Sequence, residues 1–172
     1  MKIILEIKNK KTPGEADEFI DEELTPFQYH LEELRQYIDG EITLELNSKH
    51  KIYLDIYPDL TVNFEEIVDS IQRAKSGWIG KDYIWFCEQG RDTYLHYTID
   101  ETLIGLSYTE GNEISKGKGD KPAPSFKVKI KKTNYVNEWE KLFLHISRLF
   151  KEKPGKTIKM PWQNKFRQTN NH

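Results

Sequence analysis

The sequence predicts a single α+β domain, a mainly antiparallel sheet of about six to seven strands with three helices packed on it. Three observations lead to this fold class. Apolar and polar residues alternate in several short segments, as they do in half-buried strands. Apolar residues recur at helical spacing in three longer segments. Most predicted strands follow one another directly, which favours hairpins and therefore antiparallel pairing.

A strand and an acidic loop begin the chain. Residues 2–8, "KIILEIK", are rich in isoleucine and predict the first strand. Residues 10–26 are acidic and include Pro13 and Gly14, so they predict a loop.

A capping box marks the start of the first helix. Thr25 precedes Pro26 and stands three residues before Gln28, the pattern in which both side chains cap a helix. Apolar residues follow at helical spacing, and Gly40 is the predicted end of the helix. These apolar residues are Phe27, Leu31, Leu34 and Ile38.

The clearest strand pair lies at 41–47 and 51–57. Its apolar residues alternate with polar ones, so one side faces a core and the other faces solvent or a partner. A loop over 48–50 places Leu44 opposite Leu54, whereas a two-residue loop would mix the two faces. The outward side carries Glu41, Glu45, Tyr53 and Asp55.

The second half of the chain adds two helices and four strands. Asn63 and Glu66 form the pattern of a second helix cap, and Gly77 ends that helix. Strands are predicted over 82–89, 92–99, 102–109 and 126–132, with a loop over 109–125, and the longest helix over 134–151. The domain is predicted to span 1–152, followed by a basic tail over 153–172. Its predicted core contains Ile42, Leu44, Leu54, Phe86, Leu95, Leu106, Val128, Trp139 and Phe143.

The segment "YIWFCEQGRDTYLHYTIDE", residues 83–101, holds the only cysteine of the chain and many aromatic side chains. A hairpin turning at Gly90-Arg91 places Trp85 opposite His96, and Cys87 opposite Tyr94. Cys87 and His96 then sit on a diagonal of roughly 7–8 Å between backbones, which only long side chains bridge, whereas a nucleophile and its base must be within hydrogen-bond reach. Packing or partner contact is the favoured interpretation, and a small enzyme with a site near Cys87 and His96 is an alternative.

Composition narrows the class of protein. The chain has 172 residues, of which 31% are charged. Its apolar runs are shorter than the roughly 20 residues of a membrane helix, so no membrane association is expected. One cysteine fits a reducing cytoplasm, and cytoplasmic localisation is expected. The five histidines are scattered without metal-ligand spacing, and no phosphate-binding loop is present, so neither a metal nor a cofactor is predicted.

The net charge of −2 conceals a strong asymmetry. Residues 14–72 contain 16 acids and 3 bases, whereas residues 116–172 contain 15 bases and 4 acids. Lysines at 127, 129, 131 and 132, with the tail, suggest a nucleic-acid-binding module as a further alternative. Lysine also protects sheet edges from aggregation, and the acidic balance makes nucleic acid the less favoured partner.

The chain resembles bacterial immunity proteins, the neutralising partners of contact-dependent and other polymorphic toxins. The resemblance rests on the acidic "GEADEFIDEEL" segment, the acidic "DGEITLELNSKHKIYLDIYPDL" hairpin and the aromatic "YIWFCEQGRDTYLHY" pair. It implies a non-catalytic protein that binds and blocks a cognate, basic toxin domain, often a nuclease. The residues predicted to contact that partner are Glu15, Asp17, Glu18, Asp21, Glu22, Glu41, Glu45, Tyr53, Asp55, Trp85, Tyr94 and His96.

Overall fold

The computed structural model describes residues 1–12, 24–87, 92–110 and 126–155. These residues form an α+β fold, which confirms the predicted class. The elements are β1 (Lys2–Asn9), α1 (Pro26–Leu34), β2 (Ile38–Glu45), β3 (Lys51–Asp55), α2 (Pro58–Val62), α3 (Phe64–Ser76), β4 (Gly80–Phe86), β5 (Thr93–Ile99), β6 (Leu103–Glu110), β7 (Phe126–Lys131) and α4 (Lys132–Glu152). The predicted loops over 10–26 and 109–125 and the basic tail fall largely outside the described residues.

The strands form two antiparallel sheets rather than the single sheet that was predicted. The first sheet has the order β1-β2-β3 and the second has the order β4-β5-β6-β7. Two helices, α2 and α3, lie between β3 and β4 in the chain, and these two strands belong to different sheets. The described residues also contain four helices instead of three. The additional helix, α2, is a short one that begins at Pro58, a residue suited to a first helical turn.

The capping box of α1 is confirmed, but the predicted end of this helix is wrong. The backbone N–H of Gln28 donates to the Thr25 hydroxyl at 3.4 Å, and the Thr25 N–H donates to the Gln28 side chain at 3.0 Å. The helix ends at Leu34, and Ile38 begins β2. Ile38 is buried as the spacing predicts, because a strand can place that residue in the core as well as a helix can.

The predicted cap of α3 is also absent. The Asn63 side chain donates to the carbonyl of Asp59 at 3.0 Å, where it closes the preceding short helix α2. The Glu66 carboxylate instead accepts the backbone N–H of Trp85 at 3.2 Å, on the edge strand β4. Both residues therefore join neighbouring elements instead of capping their own helix.

The registers of both predicted hairpins are wrong by two residues. Leu44 lies opposite Ile52 in the first sheet, and Trp85 lies opposite Tyr94 in the second. In the first hairpin the Asn47 side chain accepts the N–H groups of the two residues that follow Ser48, which tightens the turn. A shift of two residues keeps every side chain on its predicted face and changes only its neighbours.

One hydrophobic core joins the two sheets. Eight of the nine predicted core residues are buried in it, and Val128 packs at its periphery. Helix α4 contacts β1 of the first sheet and β6 and β7 of the second, and it also packs on α1 and α3. Its fully buried Trp139 and Phe143 lie within this core. The outer faces of the two sheets are left for solvent or partners.

Candidate binding surfaces

The outer face of the first sheet is organised in rows of directly opposed residues, one from each strand. Two rows combine opposite charges. Lys2, Glu45 and Lys51 form one of them, in which the Lys51 ammonium contacts the Glu45 carboxylate at 2.6 Å. This contact lowers the pKa of Glu45 and raises the pKa of Lys51. Lys8 lies opposite Asp39 in the other row. The Asp39 carboxylate is contacted by the Lys10 ammonium at 3.3 Å, so the acid in each of these two rows has a basic partner.

A third row contains only carboxylates. Glu6 lies opposite Glu41, and Glu41 lies opposite Asp55, so three acids cross the sheet side by side. All three side chains are exposed. We call this set the acidic row. Like charges in direct cross-strand positions destabilise a sheet, so packing within the fold gives no reason for this arrangement.

The acidic row borders a shallow depression and an exposed ring. The depression has a volume of about 370 Å³, and its lining includes the acidic row, Asp39 and Lys8. Tyr53 lies in the neighbouring row, opposite Thr43, and is 53% exposed. A partner on this face would therefore meet three or four carboxylates beside one aromatic side chain.

The outer face of the second sheet carries four rings, Tyr83, Trp85, Tyr94 and His96, which we call the aromatic cluster. Trp85 stacks on Tyr94 with ring centroids 5.9 Å apart and an interplanar angle of 6°. Tyr94 in turn stacks on His96 at 5.9 Å, and Tyr83 meets Tyr94 edge-on at 5.6 Å. Tyr83 and Trp85 remain 48% and 42% exposed. Tyr94 and His96 are partly buried, so the four rings form a continuous surface whose exposed members are Tyr83 and Trp85.

Hydrogen bonds hold two of these rings in place. The Trp85 indole N–H donates to the Asp92 carboxylate at 3.0 Å, and Asp92 is only 7% exposed. The His96 Nε2 atom lies 3.0 Å from the Thr109 hydroxyl. Desolvation, with the nearby Asp92 charge, raises the pKa of Tyr94. The cluster is a pre-ordered surface, and a ligand that stacks on it would lose little side-chain entropy.

The structure divides the predicted contact residues between two surfaces. Glu41, Tyr53 and Asp55 lie together on the first sheet, whereas Glu45 on the same face is engaged by Lys51. Trp85, Tyr94 and His96 lie together on the second sheet. The other five predicted residues, Glu15, Asp17, Glu18, Asp21 and Glu22, fall outside the described residues. Sequence reasoning missed Glu6, because only the pairing of β1 with β2 brings it to the acidic row.

The geometry does not bring Cys87 and His96 together. Cys87 follows the end of β4, and the observed register places it across from Asp92 rather than Tyr94. His96 lies opposite Tyr83, four residues away along the sheet. At about 3.3 Å per residue this separation is roughly 13 Å, far beyond hydrogen-bond reach. Within the described residues, no group of three or more potential metal ligands is assembled.

No protein-family model, no curated protein and no solved structure matches this chain. In the part of the chain that the structure describes, no helix has the length and apolar character needed to cross a membrane. Function must therefore be argued from the two surfaces themselves.

Proposed function

We propose that this chain is an immunity-type protein that binds and blocks a basic toxin domain through the acidic row on its first sheet. The observation that carries the proposal is the direct opposition of Glu6, Glu41 and Asp55 across three strands. The other charged rows of this face pair acids with bases, so the acidic row is a local departure from charge balance.

A basic partner would offset the repulsion among the carboxylates of the acidic row. Lysine or arginine side chains placed over the row would neutralise its carboxylates. The repulsion that destabilises the free protein would then be relieved in the complex, which favours binding. Charge complementarity of this kind also accelerates association and selects against acidic partners. Exposed Tyr53, beside the row, offers the kind of aromatic side chain that often dominates the energy of an interface.

The test is co-expression with a candidate toxin domain taken from a neighbouring reading frame, followed by co-purification and a growth assay. Wild-type protein is expected to co-purify with that domain and to restore growth. The triple variant Glu6→Gln, Glu41→Gln and Asp55→Asn keeps the side-chain shapes and removes the charges. It should bind more slowly, and the loss should be largest at low salt because exposed charges are screened over about 8 Å at physiological ionic strength.

A matched control removes three exposed acids elsewhere. Glu65→Gln, Glu101→Gln and Glu152→Gln change the net charge by the same amount but leave the acidic row intact. This control should retain most of the association rate. Equal losses in both triple variants would show that net charge, not the row, drives binding. Absence of co-purification and of growth rescue in the wild type would refute the immunity function itself.

A further inference from the structure

We propose that the outer face of the second sheet is a separate binding site for single-stranded nucleic acid. The two features that such a ligand needs, stacking surfaces and cationic side chains, lie on one face because of the registers of β5, β6 and β7. Tyr94 lies opposite Thr109 and His96 opposite Ser107, and Ser107 lies opposite Lys127. Directly opposed residues point to the same side of a sheet, so the aromatic cluster and Lys127 share a face.

The lysines form a line along the edge of this face. Lys127, Lys129 and Lys131 are alternate residues of β7, opposite Ser107, Gly105 and Leu103 of β6. All three are exposed. Among the residues that the structure describes, no ion pair involves any of them. The line therefore presents three exposed positive charges.

The face is otherwise short of acids. On β4 the same side begins with Lys81, which lies opposite Thr98. Two carboxylates lie on this side. Asp92 is 7% exposed and accepts the Trp85 indole N–H. Exposed Asp100 follows Thr98 by two residues, and the N–H groups of Leu103 and Thr102, with the nearby charges of Lys129 and Lys132, lower its pKa. An anion approaching Lys127 would therefore meet little repulsion from this sheet, whereas Asp100 offsets part of the charge at Lys129.

Small residues separate the rings from the lysines. The central part of β6 contributes Gly105 and Ser107 to this face, so no bulky side chain stands between the two features. Strands β5 and β7 are two strand spacings apart, roughly 10 Å. Flexible lysine side chains can lean across that distance toward a backbone whose bases stack on the rings.

Single-stranded nucleic acid fits this face better than an acidic protein does. Each nucleotide carries both an anionic phosphate and a planar base, and exposed aromatic rings stack on bases of any sequence. An acidic protein would satisfy the lysines but would leave the parallel ring planes without a matching partner. We therefore expect binding with little sequence preference and a strong dependence on salt.

The experiment uses the full chain and fluorescently labelled oligo(dT) and oligo(U) of about 12 nucleotides, within the length that one single-strand-binding domain covers. Fluorescence anisotropy at low salt is expected to show saturable binding of both. Tyr94→Ala should weaken the affinity by about 5- to 150-fold, the range for loss of one stacking ring, whereas Tyr94→Phe should bind like the wild type. The control Tyr53→Ala removes a more exposed ring from the other sheet and should leave the affinity unchanged.

A second pair of variants separates phosphate contacts from net charge. Replacing Lys127, Lys129 and Lys131 with Gln should reduce the slope of log affinity against log salt by about 2, since each single-strand phosphate contact contributes roughly 0.7. The control replaces exposed Lys8, Lys49 and Lys151 with Gln and should change the slope far less. Thermal unfolding of each variant confirms that it is folded.

Several results would overturn the inference. Lack of oligonucleotide binding at low salt would do so directly. Equal affinity for a duplex, or equally strong competition by polyglutamate, would show that the rings do not stack on bases. The test of nucleic-acid binding is independent of the immunity proposal. The acidic-row triple variant should retain oligonucleotide binding whether or not a toxin domain binds the first sheet.

Discussion

Replacing Glu41 with Gln is expected to stabilise the fold, although it removes a charge from an exposed strand. Glu41 is the middle member of the acidic row, with Glu6 on one side and Asp55 on the other. A cross-strand pair changes stability by roughly 0.2–1 kcal/mol, with like charges unfavourable. Removing the two like-charge pairs of Glu41 should therefore raise the free energy of unfolding by roughly 0.4–2 kcal/mol. For a chain of this size, 1 kcal/mol raises the melting temperature by about 2–4 °C.

Glu45→Gln is the matched control for this prediction. Glu45 is on the same strand and the same face as Glu41, but its cross-strand neighbours are Lys2 and Lys51. The same substitution there breaks the ion pair with Lys51 and should lower stability. The difference in β-propensity between Glu and Gln is common to both variants. The sign of the change in stability therefore depends on whether the cross-strand neighbours are acids or bases.

The assay is urea denaturation of both variants and the wild type, at low and at high ionic strength. The midpoint of Glu41→Gln should lie above that of the wild type, and the midpoint of Glu45→Gln below it. The separation should narrow at high salt, where surface charges are screened. If both substitutions move the midpoint in the same direction by the same amount, the assignment of repulsion to the acidic row is wrong.

Three further predictions concern the core, the pH dependence of stability and the cysteine. Leu44→Ala and Phe143→Ala, at two fully buried positions, should each cost about 2–5 kcal/mol by urea denaturation, and near-wild-type midpoints would contradict the assigned core. Burial raises the pKa of the Tyr135 hydroxyl, so the folded state keeps this proton after the unfolded chain has lost it. Its contribution is complete below the unfolded pKa of about 10 and is lost as pH rises, at about 1.4 kcal/mol per pH unit. Tyr135→Phe should therefore flatten the alkaline decline in stability by that slope, and an unchanged slope would contradict it. Cys87→Ser should retain toxin neutralisation in the growth assay, and a folded variant without this effect would revive a chemical role for the thiol.

Alternation of apolar and polar residues predicted which side of each strand faces the core, but not which residues lie side by side. Ile42, Leu44 and Leu54 are buried as predicted, while both hairpin registers are shifted by two residues. A shift of two is invisible to a pattern whose period is two. Turn chemistry decides the register, as the Asn47 side chain does in the first hairpin, and alternation within the strands carries no information about that contact.

The candidate surfaces depend on pairings between strands that are distant in the sequence, which local residue patterns do not predict. Glu6 joins the acidic row because β1 pairs with β2 across the intervening helix α1. Lys127 lies on the same face as the aromatic cluster because β7 pairs with β6, although a long segment of sequence separates these two strands. No periodicity within β1 or β7 specifies these neighbours. The division into two sheets has the same origin, since strand patterns do not tell which strands pair.

The two candidate surfaces are formed largely by oppositely charged halves of the sequence. The acidic half of the chain supplies two of the three strands that form the acidic row, and the basic half supplies the lysine line of β7. Because these strands belong to different sheets, the opposite charges do not neutralise each other through strand pairing. The fold therefore keeps the acidic row and the lysine line on separate sheets. If both proposals hold, each surface recruits a ligand that the other repels, and substitutions on one surface should leave binding at the other intact.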